Sequence, residues 1–415
     1  MEEWQPEIFT LSNGLRFVYL KTLSPVAHLG VNVLAGSRYE EKNEEGLAHF
    51  LEHCIFKGTH KRKTFHVLSR LDSVGGELNA YTSKEEMVVY ASFVKNHTQR
   101  AIELLADITL NANFPEKEIE KEKEIVLDEI NSYLDSPGEK IFDDFESHLF
   151  KGHALGTNIL GTPETVAKFT KKDLEYYLHK HFHTENMVIS FVGNEPANRV
   201  LKWIEKYFAN CPQRGKEEVI KFEGNFQFRE VEKEANYQVH AIVGGYAPGY
   251  DDEDRKGMFL LTNILGGPAL NSRLNLSIRE KYGYSYNIES SFTPYGEIGF
   301  WSVYFGTDTK YLKKSLSLLY KELANLRDKK LGDQQLKMAK AQYKGHMALA
   351  MESHSGLMLS LGKSVLLFNQ VDSILEMNES IEKVTAEDIQ RIANHYFSLD
   401  KISELIFEIG ENAND

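Results

Sequence analysis

The feature that most constrains the fold of this 415-residue chain is an internal duplication at an offset of 211 residues. The segment 26–39 resembles the segment 238–250, because each is a mostly apolar strand followed by small residues and a tyrosine. Each copy then becomes acidic and opens an apolar helix, and strands at 88–93 and 299–305 recur with helices after them. Repetition of this kind predicts two similar domains. The alternative is two unrelated domains with a chance similarity.

The segment that joins the two copies, from about Pro212 to Glu234, contains Pro, Gly, Asn and many charged residues, so few core contacts are expected to cross it. We predict a first domain at 1–212, a linker at 213–234 and a second domain at 235–415. Short early strands with hairpin breaks precede helical stretches in each half, which favours layered α+β domains over a parallel nucleotide-binding sheet. The predicted fold class is α+β: two structurally similar domains, each a mostly antiparallel sheet packed with helices.

Composition excludes several classes of partner. The chain has 61 acidic and 48 basic residues, and its net charge of −13 has the wrong sign for binding phosphate backbones or anionic lipid. We therefore expect no nucleic acid partner, and no apolar run approaches the roughly 18 residues of a membrane span. Cys54 and Cys211 are too few for a disulfide framework or a sulfur-based zinc site, and the acidic N-terminus is unlike a signal peptide. These features predict a cytoplasmic protein with no membrane partner.

A polar stripe on a predicted helix gives the first chemical signal. The pattern from Asn43 to Gly58 predicts this helix, with Asn43 as its N-cap. His49, Glu52 and His53 lie at i, i+3 and i+4, so their side chains project within one sector. This H-x-x-E-H order is typical of sites where two imidazoles hold a metal ion beside a carboxylate base. A solvated polar helix face is the alternative, since so short a motif also arises by chance.

A second predicted helix, from Glu116 to about Tyr133, offers further carboxylates. Glu122 and Glu129 are seven residues apart, so they share one helix face at about 10 Å along its axis. They cannot both bind the same metal ion directly. One of them is expected to be a ligand and the other to orient a ligand histidine. The residues alone do not decide which is which.

Taken together, the segments 46–59 and 122–130 resemble the pitrilysin family of inverted zinc peptidases, in particular its short, processing-peptidase-like bacterial type. The resemblance implies a zinc-dependent endopeptidase that cleaves short or unfolded peptides inside a clamshell chamber. It also implies a role for each site residue: zinc ligands His49, His53 and Glu129, general base Glu52 acting on a zinc-bound water, and supporting carboxylate Glu122.

The segment 72–83 matches the family's Gly-Gly turn and the edge strand after it. The resemblance implies that the main chain near Asn79 and Ala80 pairs with substrate. An exposed strand beside a metal site suits this role, because extended peptides bind such edges through backbone hydrogen bonds. An ordinary hairpin has the same composition.

In the second copy, the segment 272–286 resembles the family segment that supplies an arginine and a tyrosine to the active chamber, here Arg279 and Tyr286. Gly283 between them predicts a helix end followed by a strand, which places the two side chains on adjacent elements. The resemblance gives them a role in holding the substrate backbone and stabilising the developing oxyanion.

The second copy lacks the metal-binding pattern, because the offset maps the H-x-x-E-H residues onto Leu260, Asn263 and Ile264. The resemblance implies that a chain of this length is half of a clamshell. We therefore predict a homodimer with composite sites, in which zinc ligands of one subunit meet Arg279 and Tyr286 of the other. The alternative function is a non-catalytic pitrilysin-like subunit that binds peptides or a partner chain.

A third histidine-rich segment is expected to be structural. His179, His181 and His183 are dense enough to suggest a second metal, but their spacing leads directly into an apolar strand. Cys54 follows His53 yet points about 100° away from it, into the apolar stripe of the helix, so we expect no ligand role.

Overall fold

The computed structural model describes residues 5–215 and 219–410, so three residues of the predicted linker, 216–218, lie outside the described residues. The strands are β1 Glu7–Thr10, β2 Arg16–Lys21, β3 Val26–Val33, β4 Glu77–Thr82, β5 Met87–Val94, β6 Met187–Gly193, β7 Arg229–Glu234, β8 Val239–Pro248, β9 Ile288–Pro294, β10 Ile298–Thr307 and β11 Ser403–Ile409. The helices are α1 Leu47–Cys54, α2 Thr64–Asp72, α3 Thr98–Leu110, α4 Glu116–Leu134, α5 Pro137–Leu149, α6 Pro163–Val166, α7 Lys171–His181, α8 Ala197–Tyr207, α9 Arg255–Gly266, α10 Leu312–Asp328, α11 Asp333–Ala350, α12 His354–Phe368, α13 Ile374–Lys383 and α14 Ala386–Tyr396.

The strands form two sheets with the same connectivity. The first has the order β1-β2-β6-β3-β5-β4 and the second β7-β11-β8-β10-β9, so the sheets correspond strand for strand once β1 is set aside. Each is antiparallel except for one parallel pair, β2 with β6 and β7 with β11. The equivalent strands β5 and β10 begin at Met87 and Ile298, which reproduces the sequence offset of 211. The predicted α+β fold and its duplication are confirmed.

The chain divides into two compact units, and each unit combines segments from both halves of the sequence. The first comprises Met1–Ile130, Thr157–Val219 and Ala348–Ile374; the second comprises Asn131–Gly156, Ile220–Met347 and Leu375–Asp415. The predicted boundaries, with domains at 1–212 and 235–415 joined by a linker at 213–234, stay a prediction.

In the first unit, helices cover both faces of the sheet. Phe17 and Tyr19 of β2 pack in the core that includes α1, α3 and α8, whereas the alternate residues Val18 and Leu20 pack against α12. Because side chains alternate across a strand, a sheet covered on both faces needs apolar residues at consecutive positions. The helix α12 that covers the second face comes from late in the chain.

The second unit has the same arrangement, but here the helix on the second face comes from the first half of the sequence. Alternate residues of β8 pack against α9, α10 and α14 on one face of the sheet. The other face is covered by α5, whose Ile141, Phe145 and Leu149 share a core with Ile242 of β8. Each sheet is therefore completed by a helix from the opposite half of the sequence.

The structure also bears on the expected absence of a membrane span and on the two cysteines. No helix among them is long and apolar enough to cross a bilayer. Cys54 and Cys211 are both free and buried, and burial raises the pKa of both thiols. Cys54 lies in the core of the first unit, as its position on the apolar stripe predicts. The cytoplasmic location stays a prediction.

Candidate metal centre

The helix that carries the H-x-x-E-H motif is shorter than predicted. It begins at Leu47, and the predicted N-cap, Asn43, lies instead in the preceding turn with a φ of 75°. The carboxylate of Glu40 accepts hydrogen bonds from the N–H groups of Gly46 and Ala48, at 3.1 and 2.8 Å. The Asn43 prediction is wrong because a side chain from outside the local sequence window satisfies the free N–H groups of the first turn.

Two left-handed glycines fix the turn before α1. Gly46 has a φ of 93° and Gly161 a φ of 72°. A Cβ on Gly161 would lie 2.2 Å from the carbonyl oxygen of Glu45 and 2.8 Å from the Cα of Gly46. The Thr165 hydroxyl also donates a hydrogen bond to the Glu45 carbonyl oxygen, at 2.7 Å. Both the loop at Gly161 and Thr165 of α6 therefore contact the turn that precedes the motif helix.

Replacing Gly161 with alanine is expected to lower the free energy of unfolding by about 3 kcal/mol, measured by urea denaturation followed by circular dichroism. The left-handed conformation accounts for about 1–2 kcal/mol and the clash with Glu45 and Gly46 for the rest. Gly14→Ala in the same unit is the matched control, since Gly14 has a φ of 86° but its nearest contact is an ordinary 3.8 Å. Equal losses in the two variants would show that the contact at Gly161 adds nothing.

Three donor atoms from two helices converge beside this turn. Nε2 of His49 and Nε2 of His53, both on α1, lie 3.8 and 3.5 Å from Oε2 of Glu129 on α4. The three donor groups lie within 4.8 Å of one another. A tetrahedral zinc ion with bonds of roughly 2.0–2.2 Å separates its ligand atoms by about 3.3 Å. The distances of His49 and His53 from Glu129 are close to this spacing, so the set could hold such an ion once its donor atoms draw together.

Glu122 lies on the other side of the His53 ring. Its Oε2 is 3.4 Å from Nδ1 of His53, and its Oε1 is 2.8 Å from Nζ of Lys57. The Glu122 side chain is 5% exposed, whereas the Glu129 side chain is 44% exposed. When Nδ1–H of His53 donates to Glu122, Nε2 keeps the lone pair that a metal needs. The seven-residue spacing does not distinguish the two glutamates. In the structure Glu122 faces Nδ1 of His53, whereas Glu129 faces Nε2.

His49 is held in the form that binds metal. Burial, with the nearby His53 ring as a second cause, lowers the pKa of His49 to about 4. The imidazole is therefore neutral at pH 7, and a metal ion has no proton to displace from it.

Glu52 links the helix to the neighbouring sheet. Its Oε2 accepts a hydrogen bond of 2.7 Å from the hydroxyl of Thr82, the last residue of β4. Burial raises the pKa of Glu52, and the hydrogen bond from Thr82 and the nearby His53 oppose that increase. Thr82 could not be predicted as part of the site, because a threonine in a strand is ordinary.

The strand that contains Asn79 and Ala80 is an edge strand. β4 stands last in the first sheet and pairs antiparallel with β5, with Asn79 opposite Tyr90 and Ala80 opposite Val89. Within the described part of the chain, its other edge has no strand partner. Edges of this kind can bind an extended peptide as a further strand, and that role for β4 stays a prediction.

Arg279 and Tyr286 lie in the second compact unit. Arg279 is in a π-helical segment, Asn275–Glu280, with Gly283 in the left-handed conformation shortly after it. Tyr286 is 82% exposed and precedes β9, which begins at Ile288, so it lies before the predicted strand and not in it. The role of both side chains stays a prediction.

One further group of three donors among the described residues was not predicted from the sequence. Nε2 of His148 on α5 lies 2.9 Å from Glu230, and Glu232 is close by on the same strand, β7. Glu230 is exposed and Glu232 is half-buried, and the contact of His148 with Glu230 is an ordinary surface ion pair. The His179, His181 and His183 segment forms no such group in the described chain, and the His181 ring packs 4.3 Å from the ring of Tyr177.

Comparisons with known proteins identify the family of this chain. The family model described as Insulinase (Peptidase family M16) matches residues 16–163, and that described as Peptidase M16 inactive domain matches residues 168–343. The uncharacterized zinc protease YmxG of Bacillus subtilis is 31% identical over 404 residues, covering 97% of this chain and 98% of that protein. An uncharacterized zinc protease of Rickettsia bellii is 32% identical over 400 residues, covering 95% of this chain and 96% of that protein.

Solved structures share the fold. A protease from Helicobacter pylori has a TM-score of 0.89 at 19% identity and covers 98% of this chain and 100% of its own. The structure from Pseudomonas fluorescens described as a peptidase M16 inactive domain has a TM-score of 0.91 at 18% identity, with 98% of each chain covered. With both family models matched along one chain and zinc proteases as full-length relatives, this protein belongs to peptidase family M16, the insulinase or pitrilysin family of metallopeptidases, and to its short bacterial type.

Proposed function

We propose that this protein is a zinc-dependent endopeptidase that cleaves short or unfolded peptides bound along β4. The observation that carries the proposal is the convergence of the His49, His53 and Glu129 donor atoms beside Glu52, which is itself hydrogen-bonded to the edge strand. Family membership and the names of the relatives support the same reaction class.

His49, His53 and Glu129 would hold the zinc ion, which supplies a Lewis acid that polarises the peptide carbonyl and makes water more acidic. Glu52 accepts the proton of the attacking water and returns it to the leaving amine. Thr82 occupies Oε2 of Glu52, so Oε1 remains for this transfer. Glu122 orients His53 from Nδ1.

The substrate is held mainly through its backbone. A peptide that adds to β4 as a further strand bonds to the main chain at Asn79 and Ala80, with little demand on its sequence. Arg279 and Tyr286 complete the site by binding the substrate backbone and stabilising the oxyanion.

Digestion of a quenched fluorescent peptide library, with product sequencing and metal analysis of the purified protein, tests the proposal. We expect zinc near one per chain and cleavage at internal bonds. Zinc-free protein that binds library peptides without cutting them would instead support the non-catalytic, peptide-binding subunit.

We propose further that the chain acts as a homodimer with composite sites. The difference between the two copies supports this proposal. The first copy carries the candidate metal-binding residues, whereas the second has Leu260, Asn263 and Ile264 at the equivalent positions. Arg279 and Tyr286 would then act on the zinc site of the partner.

Mixing chains that carry Glu52→Gln with chains that carry Arg279→Ala tests this arrangement. Each variant alone is expected to be nearly inactive, and subunit exchange should restore one working site in each mixed dimer. Peptidase activity after exchange is the measurement, with each variant incubated alone as the control. Exchange that is verified by mass but restores no activity would contradict the composite site.

A further inference from the structure

A groove lies between α2 and the first residues of β4, within the first compact unit. Its volume is about 520 Å³, and it extends along the strand as far as Asn79. The groove is therefore continuous with the edge where the proposed function places the substrate backbone, so a peptide paired with β4 would direct alternate side chains into it.

The α2 side of the groove is apolar and exposed. Phe65 is 73% exposed and Leu68 is 48% exposed, and both line the groove. They lie three residues apart on the helix, so their side chains are neighbours on one face. A ligand with an apolar stem would remove this surface from water.

Two carboxylates border the same groove. Asp72 ends α2, Glu77 begins β4, and both are exposed. Neither forms an ion pair within the described residues, whereas the nearby Arg62 and Arg70 are already paired with Glu103. The groove thus combines an apolar surface with uncompensated negative charge.

That combination matches an arginine or lysine side chain. Both have a long apolar stem that packs on surfaces such as Phe65 and Leu68, with a charged end that reaches solvent or a carboxylate. An arginine also stacks favourably on an aromatic ring such as Phe65. An uncharged apolar side chain would leave Asp72 and Glu77 without a partner.

The direction of the added strand sets the position of this side chain in the substrate. Antiparallel pairing is slightly more stable per residue than parallel pairing, so we take the peptide to run opposite to β4. Glu52 meets β4 at Thr82, so residues opposite Glu77 and Leu78 then follow the cleaved bond in the peptide. We propose that the groove binds an arginine or lysine side chain on the C-terminal side of the cleaved bond, at a residue opposite Glu77 or Leu78, an inference that rests on the proposed function.

The test compares peptides that differ only in having arginine, norleucine or alanine at one position, which is moved from about the second to the fifth residue after the cleaved bond. We expect kcat/KM for the arginine peptide to exceed that for the alanine peptide by about tenfold, with norleucine between them. The double variant Asp72→Asn with Glu77→Gln should reduce the arginine-to-alanine ratio to about twofold. The double variant Glu116→Gln with Glu124→Gln changes the net charge equally on the exposed face of α4 and should keep the full ratio.

Binding of the same peptides to the Glu52→Gln protein, measured by fluorescence anisotropy, separates the two proposals. An arginine preference in binding that falls in the Asp72 and Glu77 double variant supports the groove, whether or not the wild-type protein cleaves. Cleavage without any preference at these positions, or a preference that the double variant leaves intact, would overturn the groove and leave the peptidase standing. A zinc-loaded wild-type protein that cuts nothing would overturn the peptidase.

Discussion

Replacing Glu52 with glutamine is expected to lower kcat for peptide hydrolysis by about 10³-fold, while zinc content stays near the wild-type value. Glutamine has the shape of glutamate but cannot accept a proton from water at neutral pH. The donor atoms of His49, His53 and Glu129 do not include Glu52, so the metal site should remain intact. Initial rates on a quenched peptide, with metal analysis of the same sample, provide the measurement.

The fold of this variant should survive the change. The amide oxygen of glutamine can accept the hydrogen bond that Thr82 now donates to the carboxylate, and a half-buried charge is removed. We therefore expect thermal stability equal to that of the wild-type protein or higher. Glu124→Gln, an exposed position on α4, is the control and should retain full activity. A Glu52→Gln protein that keeps kcat within tenfold of the wild type would remove Glu52 from the role of base.

Much of the fold follows from the duplication. An offset found in the sequence predicts that β5 and β10 are equivalent strands, and the two sheets do share one strand order. The predicted mostly antiparallel sheets are also present, with one parallel pair each. These features were accessible because strand periodicity and apolar runs are local, and the repeat supplies each of them twice.

The sequence did not allow us to predict that each sheet is covered by a helix from the opposite half of the chain. Periodicity in α12 or α5 shows which face of the helix is apolar, but not which sheet that face covers. Met358 and Val365 pack on the first sheet, and Phe145 on the second, although each lies in the opposite half of the sequence. Such a choice depends on long-range packing, which a pattern within one segment does not contain.

The site also has features that local spacing predicts and others that depend on residues distant in the sequence. Helical spacing alone placed His49, Glu52 and His53 on one face, and they do lie together on α1. The start of that helix was wrongly predicted because Glu40 and Gly161 act on it from other segments. Thr82 was missed for the same reason, since its contact with Glu52 joins residues 30 positions apart.

Spacing along α4 does not show which of Glu122 and Glu129 is the metal ligand, whereas their contacts in the structure favour Glu129. Replacing these glutamates gives the second large predicted effect. Replacing Glu129 with glutamine is expected to weaken zinc binding by more than 100-fold, because a charged ligand atom within 3.8 Å of both Nε2 atoms is lost. Glu122→Gln should weaken binding less, by about 10- to 100-fold, since it only disturbs the orientation and basicity of His53. Competition with a chromophoric chelator measures both affinities.

The order of these two effects is the discriminating result, because a general loss of negative charge near the metal would lower both affinities alike. Glu124→Gln on the same helix removes one charge without touching His49 or His53, so its zinc affinity should match that of the wild type. Glu122→Gln also leaves Lys57 without its carboxylate partner, which is expected to add a loss of stability that Glu129→Gln does not share. A larger loss of zinc in Glu122→Gln than in Glu129→Gln would reverse the assignment of ligand and supporting carboxylate.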